Sequence, residues 1–354
     1  MNYFTKNDLI NSLENRLAFI ELNYNASTII VSEHGGRVLG IFPKDECINL
    51  LWVNPAIEDL DFKKEWNIGG DRYWISPERL FFYKNPELWE DWFCPDGLDP
   101  ADYKITSSTK TSCSIITDVS LTNQLTKEIY KGKIKRDISL VEEPINTGVP
   151  YCGIQYIDDC ILFTPHLNIN GWTLTQVISG GTENPGTVLI PTISNPKPQS
   201  YFRTIPSNRL SVTANYVAFK IDVNDIYKLG IRPEDIDFSR SDKMGYVLKM
   251  PESEEYGFLV KLSDDIPKSQ DECFDVSRDH PDAEIGVIQS YNSESPDKPF
   301  LNFGEIELQL NIFKDINGQS RGIAKHQLFG YIGTKNEILG VIEKYLGIRN
   351  PILY

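Results

Sequence analysis

No two of the six cysteines (Cys47, Cys94, Cys113, Cys152, Cys160 and Cys273) stand in a CxxC spacing. Tight zinc motifs are therefore missing, and a disulfide framework is not expected in a chain of 354 residues. No run of about 18 apolar residues is present to span a bilayer. A basic stripe is missing as well. The 35 Lys and Arg stand against 50 Asp and Glu, a net charge of −15 at pH 7, which argues against nucleic acid and anionic membranes as partners. The GxSxG elbow, the phosphate loop and the dinucleotide fingerprint do not occur, so no cofactor is expected. His280-Pro281-Asp282-Ala283-Glu284 is rich in oxygen ligands, but one histidine with two acids on a Pro loop is too little to imply a metal. Met1 to Asp8 lacks the charged-then-apolar pattern of a secretory leader. A soluble, cytoplasmic protein is the expectation, and a processed secreted form would read the same way.

What is present leans towards β structure. The chain is 40 % hydrophobic and 11 % aromatic with 21 prolines, enough to bury a large core and rich in strand formers. Period-two segments recur at short intervals, among them 113–119, 125–130, 134–141, 153–163, 172–178, 211–221, 256–262, 285–291 and 304–313, with turn residues between them. Residues 224–228 and 232–238 are short and Pro-interrupted and read as connections. Stretches 195–198 and 293–299 read as surface loops. Two helices flank the strands. One lies within 1–15, capped by Thr5 or Asn7; the other spans 334–347, with Thr334 as cap, Ile338, Val341, Ile342 and Tyr345 as buried stripe, and Gly347 as stop. No Pro-, Gly- or Ser-rich linker divides the chain and no internal repeat is visible. The expectation is one all-β domain over 1–354, built from large stacked antiparallel sheets.

Three segments carry chemistry. Trp52, Trp66, Trp74, Trp89 and Trp92, five of the six tryptophans, fall within one short stretch. At its centre is Asn67-Ile68-Gly69-Gly70-Asp71-Arg72-Tyr73-Trp74-Ile75-Ser76-Pro77-Glu78. Glycines that permit close approach, an Asp that accepts, an Arg that donates in a planar fork and flanking aromatics suit a ligand with apolar faces and a hydroxylated rim, such as a sugar ring. Trp89 to Trp92 encloses Glu90 and Asp91 and could form one pocket wall. The second segment, Thr164-Pro165-His166-Leu167-Asn168-Ile169-Asn170-Gly171-Trp172, holds the histidine best suited to general acid work. In the third, alternation places Glu305, Glu307 and Gln309 on one face of a strand, beside the strand-like 287–292.

These residues resemble the galactose mutarotase-like superfamily, particularly its bacterial branches of domains of unknown function. The match rests on Gly35-Gly36-Arg37-Val38 followed by Asn49-Leu50-Leu51-Trp52. It rests above all on Gly69-Gly70-Asp71-Arg72-Tyr73-Trp74-Ile75-Ser76-Pro77-Glu78, which is similar to a Gly-Gly-Asp-Arg-x-Trp-x-x-Pro-Glu segment there. Lys228 to Ile231, Glu305 to Glu307 and the closing 330–347 follow in similar order. The resemblance implies a β-supersandwich that holds a small carbohydrate or glycoside on the concave face of a sheet. In sugar-converting members a carboxylate takes the anomeric hydroxyl proton while a histidine protonates the ring oxygen. By this resemblance His166 would be the acid and Glu305 or Glu307 the base. Arg37, Asp71, Arg72 and Gln155 would be substrate contacts, joined by Trp74, Glu78 and Trp92 of the aromatic segment. Two features depart from the pattern. No histidine occurs between His34 and His166, and Ile68 stands where sugar-phosphate epimerases carry an arginine.

Carbohydrate binding without turnover is the leading expectation, because half of the family's catalytic histidine set is missing. An aldose 1-epimerase-type isomerase is the first alternative. A glycoside hydrolase is the second, and it needs two carboxyls about 5 to 10 Å apart; Asp71, Glu78, Glu305 and Glu307 supply candidates.

Overall fold

The computed structural model describes residues 3–274, 284–293 and 302–354. His280 to Ala283, and most of the stretch 293–299 read above as a loop, lie outside the described residues. With strands numbered along the chain, one sheet has nine members. Its order is β1 (Phe19–Tyr24), β2 (Ser27–Ser32), β3 (Arg37–Phe42), β4 (Asp71–Ser76), β11 (Asn170–Val177), β20 (Gly304–Ile312), β19 (Ile288–Asn292), β16 (Tyr227–Ile231) and β13 (Gln199–Tyr201). The other runs β14 (Leu210–Val212), β15 (Tyr216–Ile221), β12 (Gly186–Pro191), β17 (Asp242–Lys249), β18 (Tyr256–Leu262), β22 (Gln319–Gly333), β10 (Tyr151–Leu162), β9 (Ile129–Leu140), β8 (Ser112–Thr122) and β7 (Lys104–Ser108), with β21 (Lys314–Ile316) paired to β22. A separate hairpin joins β5 (Tyr83–Asn85) to β6 (Glu90–Trp92). The pairings are antiparallel, and the whole is a sandwich of two large β-sheets with few helices.

Most of the core lies between the two large sheets, where Ile154, Ile134 and Leu328 of one face meet Val38, Ile306 and Leu308 of the other. The outer face of β17, β18 and β22 is covered by α3 (Lys335–Leu346), whose Ile338, Val341, Ile342 and Tyr345 pack on Phe258, Phe329 and Tyr331. Thr334 and Glu337 form a capping box, and Gly347 ends the helix in the left-handed region at φ 67°. At the other end Thr5 caps α1 (Lys6–Leu13). A further short helix, α2 (Glu78–Phe82), leads from β4 into the hairpin.

Local departures from the sequence reading have simple causes. Residues 224–228 are not only a connection: Tyr227 and Lys228 begin β16, which pairs with β19. Residues 125–128 form a turn rather than a strand, with the Asn123 side chain accepting from the amides of Leu125 and Thr126. The segment after Gly69-Gly70, to which the sequence reading assigns no element, is a strand. It is β4, every residue of which is buried, as is every residue of β11. Strands buried on both faces lose the polar/apolar alternation that would show which face meets the core.

Candidate functional site

Alternation along β4 divides the Gly-Gly-Asp-Arg segment between two environments. Arg72 and Trp74 face away from the second sheet, and Asp71 and Tyr73 face towards it. On the outward side Trp74 lies directly across from Trp172 of β11, their rings 5.7 Å apart at 71°. The Arg72 guanidinium sits 4.2 Å over Trp74 and donates through Nη2 to Glu305 Oε1 at 2.7 Å. One strand position further on, Glu307 Oε2 accepts from Trp172 Nε1 and from Lys228 Nζ, both at 3.0 Å. Lys228 also lies 4.9 Å from the Trp172 ring. Two ion pairs and two indole faces thus alternate across β4, β11, β20 and β16.

Arg72, Glu305, Trp74, Trp172 and Lys228 line a cavity of about 280 Å³, which Trp66, Trp92, Glu78, Phe202 and Phe303 complete, while Glu307 is fully buried behind the wall. Trp92 is 40 % exposed and donates through Nε1 to Glu78 Oε1 at 2.9 Å. Trp66 packs between Trp74 and Trp92, at 5.4 and 5.5 Å. Burial pushes the Glu307 carboxyl up to about 7; Lys228 opposes this and the neighbouring Glu305 adds to it. Glu307 Oε1 and Arg72 Nε and Nη1 are buried and find no hydrogen-bond partner among the described residues. Unspent donors and an unspent acceptor beside the cavity are what an incoming polyhydroxyl ligand could use.

On the inward side the same sheet carries an ionic network locked between the layers. Asp71 accepts from Thr175 Oγ1 at 2.6 Å and lies 3.4 Å from Arg136 Nη2 and 3.6 Å from Lys261 Nζ. Arg136 in turn donates to Asp158 at 2.7 Å, and His326 Nε2 meets the other Asp158 oxygen at 2.7 Å. Burial alone would raise the Asp158 carboxyl, yet Arg136 and His326 hold it below its ordinary value. Burial lowers the Lys261 ammonium to about 8 against the pull of Asp71 and Glu307.

The candidate residues therefore separate. The structure brings together Arg72, Trp74, Glu78, Trp92 and Glu305 on the cavity wall, with Glu307 behind them. It removes four others. Asp71 is fully buried between the sheets and does not line the cavity. Arg37 is fully buried, paired with Asp99 and donating to the carbonyls of Gly69 and Trp66 at 2.8 Å. Since Asp99 also accepts from Trp74 Nε1 at 2.8 Å, Arg37 orients the cavity wall from behind. Gln155 lies on β10 of the other sheet, in a separate Ser/Thr-lined hollow. His166 does not line the cavity: it is 81 % exposed on a loop, its Nδ1 2.8 Å from Asp315 of β21. The role of acid implied for it has no geometry here. Neither of the other described histidines replaces it, since His34 is held against the Phe62 carbonyl and His326 belongs to the inner network.

Sequence reasoning assigned no site role to Lys228, Trp172 or Asp99. Trp172 and Lys228 stood within segments already marked, but only cross-strand pairing places them beside Glu307. Asp99 carried no signal of its own.

The sequence profile of a family of unknown function, DUF6786, matches residues 2–148. None of the curated proteins matches the chain. Among solved structures, a protein of Escherichia coli K12 described as a candidate aldose 1-epimerase superposes with a TM-score of 0.53 at 9 % identity, over 90 % of this chain and 99 % of that one. A galactose mutarotase-like protein from Lactobacillus casei does so with 0.51 at 10 % identity, over 89 % and 100 %. At such identities the likeness establishes the galactose mutarotase-like fold and nothing finer. Among the described residues no cluster of three or more His, Cys, Asp or Glu suits a metal ion, and no helix is long and apolar enough to cross a membrane.

Proposed function

We propose that this protein binds a carbohydrate in the cavity over β4, β11, β20 and β16. The observation that carries the reading is the alternation of indole faces with ion-paired polar groups, Trp74 and Trp172 against Arg72–Glu305 and Lys228–Glu307. A sugar ring presents apolar C–H faces and a rim of hydroxyls, and such a wall matches both. The names borne by the two superposed proteins agree with a sugar ligand.

Catalysis is the second reading, favoured by one observation. A Glu307 carboxyl pushed up to about 7 can hold or release a proton near neutrality. An aldose 1-epimerase-type exchange would then use Glu305 on the cavity wall, with Glu307 as a proton-holding group behind it, without His166.

Saturation-transfer NMR against free hexoses, pentoses and disaccharides, with anomer exchange followed in the same samples, separates the readings. Binding without faster exchange is the expected result. Exchange above the uncatalysed rate that disappears in Glu307→Gln would move the assignment to isomerase, and release of a reducing end from a disaccharide would move it to hydrolase. A silent panel in both experiments would remove the carbohydrate reading.

A further inference from the structure

We propose that the ligand is a neutral glycan of at least two sugar rings, the second lying between the β5–β6 hairpin and the Phe202–Arg203 segment; this rests on the carbohydrate reading above. The inner cavity does not end at Trp92. A second hollow, about 660 Å³ in volume, continues outwards and shares Tyr83, Trp92, Phe202 and Tyr291 with it as common walls. The inner space of about 280 Å³ falls just under the range of about 300 to 1,000 Å³ usual for whole-ligand pockets. It matches one ring, and the continuous cleft matches more.

The outer hollow has the features of a built site. Trp89 lies on its wall, 8 % exposed, with an indole Nε1–H that finds no acceptor among the described residues. A buried indole donor normally has a partner, and a ligand hydroxyl would supply one. Trp89, Asp91 and Phe202, all on this wall, hold positive φ values of 53°, 58° and 62°. Bulky residues rarely adopt that region, and such conformations gather at ligand clamps. Across from the hairpin, Arg203 is fixed by a bidentate pair with Asp225, both contacts at 2.8 Å, and lies 5.1 Å over Tyr227.

Charge sets the class of glycan. Glu90 and Asp91 are exposed on the outer wall and Glu78 stands on the inner one, while Arg203, Arg72 and Lys228 are each already engaged by a carboxylate. A uronate, sulfate or phosphate on the sugar would meet net negative potential. Hydroxyls, which take up both donors and acceptors, would not.

Calorimetric titration of the full chain with glucose, cellobiose and cellotriose, and with the galactose, mannose and xylose equivalents, tests this. In at least one series the disaccharide or trisaccharide should bind about tenfold or more tighter than its monosaccharide. In Trp89→Ala that ratio should fall towards one. Arg203→Ala, altering a half-exposed pair, carries the same test if Trp89→Ala does not fold, as judged by circular dichroism. Equal affinity for one and two rings in every series overturns the proposal and leaves the carbohydrate reading standing. No binding by any saccharide overturns both. Tightest binding by glucuronate or glucose 6-phosphate overturns the neutral assignment.

Discussion

Asp71 and Arg72 are neighbours on β4 that face opposite sides of one sheet, and the two sides use charge differently. Asp71 sits between layers with no exposed surface, surrounded by Arg136, Lys261 and Thr175. Arg72 sits at a cavity, with one contact to Glu305 and two nitrogens left over. The first arrangement fixes how the sheets stack. The second keeps polar capacity in reserve. A charged residue in a buried strand therefore reports function only once its side of the sheet is known.

The sharpest way to break this comparison is Asp71→Ala. It removes the carboxylate that faces Lys261 and leaves Arg136 to Asp158, and removing one partner of a buried ionic set costs about 3 to 5 kcal/mol. Chemical denaturation should show that loss, and a drop well under 1 kcal/mol would mean the network is not structural.

The two sides should also answer pH in opposite senses. Lys261, inward, has its folded value lowered to about 8 from 10.5. Its contribution is fully present above about 10.5 and is lost as pH falls through about 8, a swing of up to about 3 kcal/mol. Glu307, on the cavity side, has its folded value raised to about 7 from 4.5, so its contribution is present below about 4.5 and lost as pH rises through about 7. Unfolding free energies measured against pH for the wild type minus Lys261→Met, and minus Glu307→Gln, should slope upwards in the first window and downwards in the second. Slopes of the same sign would contradict the assignment of burial as the dominant cause.

Arg72→Ala should cost less stability than Asp71→Ala, about 1 to 3 kcal/mol, and should weaken sugar binding about tenfold or more. If the two substitutions exchange effects, the faces have been assigned the wrong way round. Least affected should be His166→Ala. An exposed pair with Asp315 contributes within about 0.5 kcal/mol, and calorimetry should find sugar affinity unchanged.

Much of the fold class was legible before any coordinates. Period-two segments, turn chemistry and aromatic content led to stacked antiparallel sheets, and the Trp-rich stretch did mark residues that line the cavity: Trp66, Trp74, Glu78 and Trp92. What sequence could not supply was partnership across strands. Lys228 and Glu307 are 79 positions apart and Arg72 and Glu305 are 233 apart, and nothing local in either segment announces the other. His166 drew attention because histidine is scarce, yet scarcity carries no information about direction, and its loop turns it to solvent beside Asp315.

By itself, then, the sequence determined the kind of structure and the region in which ligand chemistry could gather, because strand periodicity, turn residues and aromatic clustering are local properties. Only the tertiary structure decided that Asp71 and Arg37 brace the scaffold while Arg72, Glu305 and Lys228 meet the cavity. In strands buried on both faces the pattern of side chains is the same whichever way the strand is turned, and the choice is made by which sheet packs behind it.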